Sequence, residues 1–251
     1  MKIHTIIFLV VFLAFALNLS VYAQETDKKN EPTKIRILIF DDETADYYRW
    51  AGTAPILKKS LNDSKQVEAV IIEDAEVLGT DIIFDYDVLL LHFKNYKPLK
   101  RDGKAKENLM KFVHDGGGLF VYHFACGAFE DWPEYEKLSG RVWDPKLPGH
   151  DPYGKFTVNI IDREHPITKD VEDFETQDEL YTCLRKSDIP IRILAEATSK
   201  IDGKKYPMAF VLDYGKGRVF HTTLGHDRPS VTPPNFVHLL HNAVRWLAEK
   251  R

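Results

Sequence analysis

Apolar and polar positions along the chain switch between two periods. Ile35-Arg36-Ile37-Leu38-Ile39-Phe40 is rich in β-branched residues and ends at Asp41-Asp42, which reads as a strand running into a polar corner. Val67 to Ile72 and Tyr86 to His92 read as two more strands, and Val88-Leu89-Leu90-Leu91 is apolar without alternation, as expected of a parallel strand covered on both faces. Helical spacing fills the gaps. Thr53 is a usable N-cap, Pro55 suits a first turn, and Ile56, Leu57 and Leu61 form a buried stripe. Glu107 to His114 repeats the pattern with Leu109, Phe112 and Val113, stops at Gly116, and leads at once into the strand Leu119 to His123. Strand, helix and strand with short connections predict an α/β fold with a doubly wound, mostly parallel sheet.

Beyond Pro148 the strands come closer together: Phe156 to Ile161, Ile191 to Ala195, Met208 to Asp213 and Arg218 to Thr222. Tyr214-Gly215-Lys216-Gly217 predicts a hairpin turn between the last two, and a helix from Pro234 to Lys250 closes the chain. No internal repeat or low-complexity linker divides residues 35–251, which are expected to form one domain.

Composition changes the picture mainly at the N-terminus. Lys2, an apolar run from Ile6 to Leu17, and the small residues Val21 and Ala23 make residues 1–23 read as a secretory signal peptide, with 24–34 a charged lead-in. The other reading, a membrane anchor, needs about 20 apolar residues, and the run is shorter. The expected location is therefore periplasmic or extracellular, with no membrane attachment after cleavage. Cleavage removes one of 34 basic residues against 38 acidic ones, so the balance moves from -4 to 33 - 38 = -5. That excess of acid argues against a nucleic-acid binder, which would show a basic stripe. Two cysteines are too few for a disulfide scaffold, although Cys126 and Cys183 could pair in an oxidising compartment.

In open α/β sheets ligands bind beyond the carboxyl ends of the strands. Attention falls on Asp41-Asp42, His92, His123 to Cys126, and His221 to Asp227. Gly116 to Phe129 carries an apolar strand into small residues, as at a nucleophile elbow, where His123 or Cys126 competes for the corner. Cys126 is either an activated nucleophile or an inert packed thiol. Asp178 and Glu179 are adjacent, so only one can face a cleft. His165-Pro166 reads as a turn. Gly225-His226-Asp227 offers a base with its orienting acid, a metal ligand, or a plain polar loop. His238 and His241 are expected to point outward, because Phe236, Leu240, Ala243 and Leu247 make the buried stripe of their helix. No zinc-protease, phosphate-loop or dinucleotide motif occurs in the sequence.

Gly117-Gly118-Leu119 with Tyr122-His123-Phe124-Ala125, then Asp178-Glu179-Leu180-Tyr181, then Tyr214 to Phe220 with Leu224-Gly225-His226-Asp227, resemble the ThuA-like (trehalose-utilisation) family in order and spacing, over roughly Ile35 to Leu247. The resemblance implies the class I glutamine amidotransferase-like, flavodoxin-like fold, with His123 in the slot of the amidotransferase Cys and no intact triad. It also implies carbohydrate catabolism, especially of disaccharides and their 3-keto derivatives. Relatives often carry a His shortly before the first helix, where this chain has Asp46-Tyr47-Tyr48-Arg49-Trp50. On this reading the protein is an exported sugar-processing enzyme, or a non-catalytic sugar-binding relative, and not a glutamine amidotransferase. His123, Glu179 and His226 are the expected catalytic residues, with Asp227 orienting His226. Tyr181, Trp132 and Asp41 are expected to bind substrate, with Trp143 as a further stacking candidate. The cofactor is unknown; a divalent metal held by His123, His226 and Glu179 is one possibility. The expected partner is a small-molecule sugar.

Overall fold

Five parallel strands and four antiparallel ones share a single sheet among the residues described by the computed structural model, which are 34–41 and 52–249. The expected export segment, the lead-in up to residue 33 and the stretch Asp46–Trp50 lie outside them. The parallel half holds β1 (Ile35–Asp41), β2 (Val67–Ile72), β3 (Val88–His92), β4 (Gly118–Tyr122) and β11 (Gly217–Thr222). The other half holds β6 (Gly154–Ile160), β7 (Phe174–Asp178), β9 (Arg192–Thr198) and β10 (Lys205–Tyr214). The order is β2-β1-β3-β4-β11-β10-β9-β6-β7, with β5 (Arg141–Val142) and β8 (Arg185–Lys186) forming a separate small ladder. The sheet is thus doubly wound, with a substantial antiparallel extension.

Alternate residues of each central strand enter two different cores. Val88 and Leu90 join Phe120 and Phe220 beneath α1 (Thr53–Asp63) and the C-terminal helix, α5 (Pro234–Ala248), which follows the short α4 (Arg228–Val231). Leu89 and Leu91 join Leu119, Val121 and Val219 beneath α2 (Asp102–His114) and α3 (Pro133–Ser139). Burial on both faces is why these strands lack alternation.

Some boundaries differ from the sequence reading. The α2 helix starts at Asp102 rather than Glu107. The strand predicted to include His123 stops at Tyr122, and His123 opens a 3-10 turn through Gly127. Gly52, not Thr53, is the N-cap of α1, and the Thr53 hydroxyl is turned to His92 instead. His241 is half-buried against Ser60, 3.0 Å from its hydroxyl, rather than pointing fully outward. His165 packs on the Trp246 ring, so its role is structural. No described helix is long and apolar enough to cross a membrane.

His221, in β11, is fully buried beneath α3, where its Nδ1 donates to the Ser139 carbonyl at 2.8 Å. Burial depresses its pKa from 6.5 to about 4, against the bond to Ser139 that favours the charged form. The folded state therefore binds this proton more weakly than the unfolded chain does. The corresponding stability is present above pH 6.5 and is lost as pH falls towards 4. Between pH 7 and 5 the group removes about 2 kcal/mol. Urea unfolding at both pH values, for the wild type and His221→Gln, should show a shallower pH dependence in the variant; an unchanged slope would rule out His221.

Candidate functional site

Three backbone devices bring the chemistry together. The first is the corner after β4. His123 has φ +48°, a left-handed conformation uncommon for a non-glycine residue, so the chain turns sharply as it leaves the strand. Its Nδ1 lies 2.8 Å from the Thr223 carbonyl, which can only accept, so Nδ1 carries the proton and Nε2 presents a bare lone pair. Burial lowers the His123 pKa to about 3, against the Thr223 bond and the Glu179 charge, so the ring is neutral.

The second device is the loop after β11. Gly225 has φ +133° and accepts on its carbonyl from the Tyr122 hydroxyl at 3.0 Å. Its N–H donates to Asp178 at 2.7 Å, and the His226 N–H donates to the same carboxylate at 3.2 Å. Asp178, the last residue of β7, also accepts from the N–H of Glu179 at 2.7 Å. Burial raises its pKa to about 7, while these three N–H groups pull towards the ionised form.

The third device is the end of β7 itself. A flat sheet would hold β7 about 19 Å from β11, four strands away. Yet Asp178 bonds directly to Gly225. β6 pairs with β9 only at Asn159 and Ile160, so the β6–β7 hairpin is free to bend back over the sheet. Of the adjacent acids, Asp178 faces the backbone of the Gly225 loop and Glu179 faces the imidazoles.

The Glu179 carboxylate meets three of them. Its Oε2 lies 3.9 Å from His123 Nε2 and 3.3 Å from His226 Nδ1, and its Oε1 lies 3.8 Å from His150 Nε2. Burial favours the neutral acid, but His226, His123 and His150 outweigh it and lower the Glu179 pKa. Burial likewise disfavours charge on His226, yet Glu179, Asp178 and Asp227 together raise its pKa. The His226 Nδ1 is nevertheless buried without a partner in hydrogen-bonding alignment. The Tyr181 ring packs 5.1 Å from His123 and stacks on His150, Trp143 lies beyond it, and Tyr153 packs on His226.

Several expected residues play other parts. The Asp227 carboxylate does not orient His226; it caps the N-terminus of α4 through the Ser230 N–H and accepts from the Tyr153 hydroxyl at 2.6 Å. Asp41 accepts from His92 Nδ1 at 2.9 Å, and His92 Nε2 takes the Thr53 hydroxyl at 2.6 Å, so this carboxylate is engaged in a buried network. Trp132 packs on Phe129 and Tyr135 and lines a cavity of ≈ 130 Å³ with Cys126 and Arg185. Tyr181 is buried and forms a wall. Both cysteines are free, and burial pushes the Cys126 thiol up to about 12, the inert of the two readings. Sequence reasoning missed His150, Tyr153 and the anchoring role of Asp178. The Pro148-Gly149 turn just before His150 was the available signal.

The comparisons agree with this architecture. The family model described as "ThuA: Trehalose utilisation" matches residues 36–247. A solved ThuA-like protein from Parabacteroides merdae is 23% identical, with TM-score 0.72, covering 87% of this chain and 90% of that one. A second, from Bacteroides uniformis, is 20% identical, with TM-score 0.69 and coverage of 87% and 94%. A Salmonella typhimurium protein described as the cytoplasmic protein STM1381 shares the fold at 14% identity and TM-score 0.55, over 86% of this chain and 100% of that one. No curated protein sequence matches the chain.

Proposed function

The chain belongs to the ThuA, trehalose-utilisation family, and from that premise we propose that it is an exported enzyme acting on a disaccharide, glycoside or 3-keto-glycoside by acid–base chemistry. The carrying observation is the convergence of His123, Glu179 and His226, with His150, where the β4, β7 and β11 segments end. A carboxylate ringed by imidazoles is equipped to take up and return protons. A 3-keto group acidifies the C–H bond at the neighbouring carbon. Proton removal there leaves an enolate, whose electron pair then forms the C1–C2 double bond as the C1–O bond breaks. The departing oxygen takes a proton back from the cluster, giving an unsaturated keto-sugar and an alcohol. Neither oxidant nor reductant enters.

The aromatic wall of Tyr181, Trp143 and Tyr153 suits a sugar ring. It supports the second reading as well, a non-catalytic sugar-binding protein, which would bind sugar saturably without forming product. Glutamine hydrolysis is disfavoured, because the β4 corner carries His123 and Cys126 is a buried, protonated thiol. Residues 1–23 carry the features of an export signal, which supports a reaction in the periplasm or outside the cell, with no nucleic-acid or membrane partner.

The test is turnover of 3-keto-glycosides by the wild type, His123→Ala and His226→Ala. Each variant is expected to lose roughly 100-fold or more in kcat. Equal rates in all three would remove these residues from the reaction, and saturable binding without product in the wild type would select the second reading.

A further inference from the structure

We propose that His123, His226 and Glu179 form a binding site for one divalent first-row transition metal ion. The inference rests on donor atoms and tautomers, and it deepens the reaction reading without depending on it. One ligand atom from each residue lies within 4.8 Å of the others, the only such cluster among the described residues. His123 is almost wholly buried, and its Nδ1–H is fixed on the Thr223 carbonyl, so a bare Nε2 lone pair looks at a carboxylate oxygen 3.9 Å away. Two acceptors facing each other across that gap gain nothing from direct contact; a cation between them satisfies both.

His226 adds an independent observation. Its buried Nδ1 sits 3.3 Å from Glu179 Oε2 but is not aligned for a hydrogen bond with it. An imidazole nitrogen and a carboxylate oxygen this close are placed to share a third centre. His150 repeats the arrangement of His123: its Nδ1 meets the Asp151 carbonyl at 2.7 Å, and its Nε2 turns to the other Glu179 oxygen. Backbone carbonyls fixing the far ring nitrogen are the usual support of metal-binding histidines. The Glu179 backbone is pinned in turn through its N–H on Asp178.

Two imidazoles and one carboxylate leave coordination positions open for water or substrate, and this donor set suits Zn²⁺, Fe²⁺ or Mn²⁺. His123, His226 and Glu179 would hold the ion, which would supply Lewis-acid polarisation of a substrate oxygen. His150, outside the donor set, would be left to hold or move a proton at Nε2.

The purified chain, stripped with a chelator, is titrated with Co²⁺ while visible d–d absorption is followed, and with Zn²⁺ by calorimetry. The expected result is one equivalent bound per chain, weakened roughly 100-fold or more in His226→Ala and Glu179→Gln. Circular dichroism and thermal unfolding verify that the variants are folded. Absence of saturable one-to-one binding by the wild type overturns the site, as does equal affinity in folded variants. Metal binding without turnover of keto-glycosides upholds the site and fails the reaction reading. Turnover by a wild type that binds no metal upholds the reaction and overturns the site.

Discussion

Glu179→Gln is expected to abolish turnover of a 3-keto-glycoside, lowering kcat about 1,000-fold or more, while leaving the fold intact. Gln keeps the shape of the side chain and one carbonyl oxygen. It carries no negative charge, and its amide cannot take up a proton. Every imidazole in the cluster faces this one carboxylate, so a single substitution takes the counter-charge from His123, His150 and His226 together. The stability change is expected to stay within about 1 kcal/mol, because the side chain is partly exposed and its backbone anchor on Asp178 is untouched. Steady-state kinetics with a urea denaturation curve checks both halves. A variant retaining a tenth of wild-type turnover would remove Glu179 from the centre of the reaction.

Gly225→Ala is expected to be strongly damaging although it replaces no ionisable group. A Cβ at this position would stand 2.2 Å from the Tyr122 hydroxyl, and φ +133° is a conformation that L side chains rarely adopt. Tyr122 is fully buried and stacks on His92, so the ring has little room to withdraw. Backbone strain and overpacking together cost on the order of 3 kcal/mol or more. Gly203→Ala is the control. Gly203 also has positive φ, +71°, but a Cβ there meets nothing within 4 Å, so the expected cost is only about 1 kcal/mol. Urea midpoints compare the two. Equal losses would show that the approach to Tyr122 is not the cause. Because His226 follows directly, Gly225→Ala should also lower turnover.

Much of the sheet was legible because its central strands are buried on both faces and leave unbroken apolar runs. β7 was not. Its inward positions are Phe174, Thr176 and Asp178, two of them polar, so no hydrophobic alternation marks it. The early turn of α2 was hidden by Gly103, a poor helix former just after Asp102. The site divides the same way. His123 and His226 could be singled out because each directly or closely follows a predicted strand end, and Glu179 because it stands in an adjacent acidic pair within Asp178-Glu179-Leu180-Tyr181. His150 sits in a loop whose nearest regular feature is a single bridge to Tyr181. Asp227 shows why adjacency in sequence misleads: beside His226 it reads as an orienting acid, but starting a helix after Gly225 uses its carboxylate for the cap.

The clamp of Asp178 on Gly225 and His226 has a consequence for assembly. The imidazoles of His123 and His226 belong to the parallel half of the sheet, whereas Glu179 arrives on a hairpin from the opposite edge, joined to its neighbour by two residue pairs. Neither half holds the full set of groups alone. A chain with every parallel strand in place but the hairpin undocked would keep the core beneath α2 and α3 and would lack the complete cluster of imidazoles and carboxylate. Assembly of the cluster therefore reports finished folding, through a contact between the edge strand β7 and the loop after the central strand β11, four places away in the sheet.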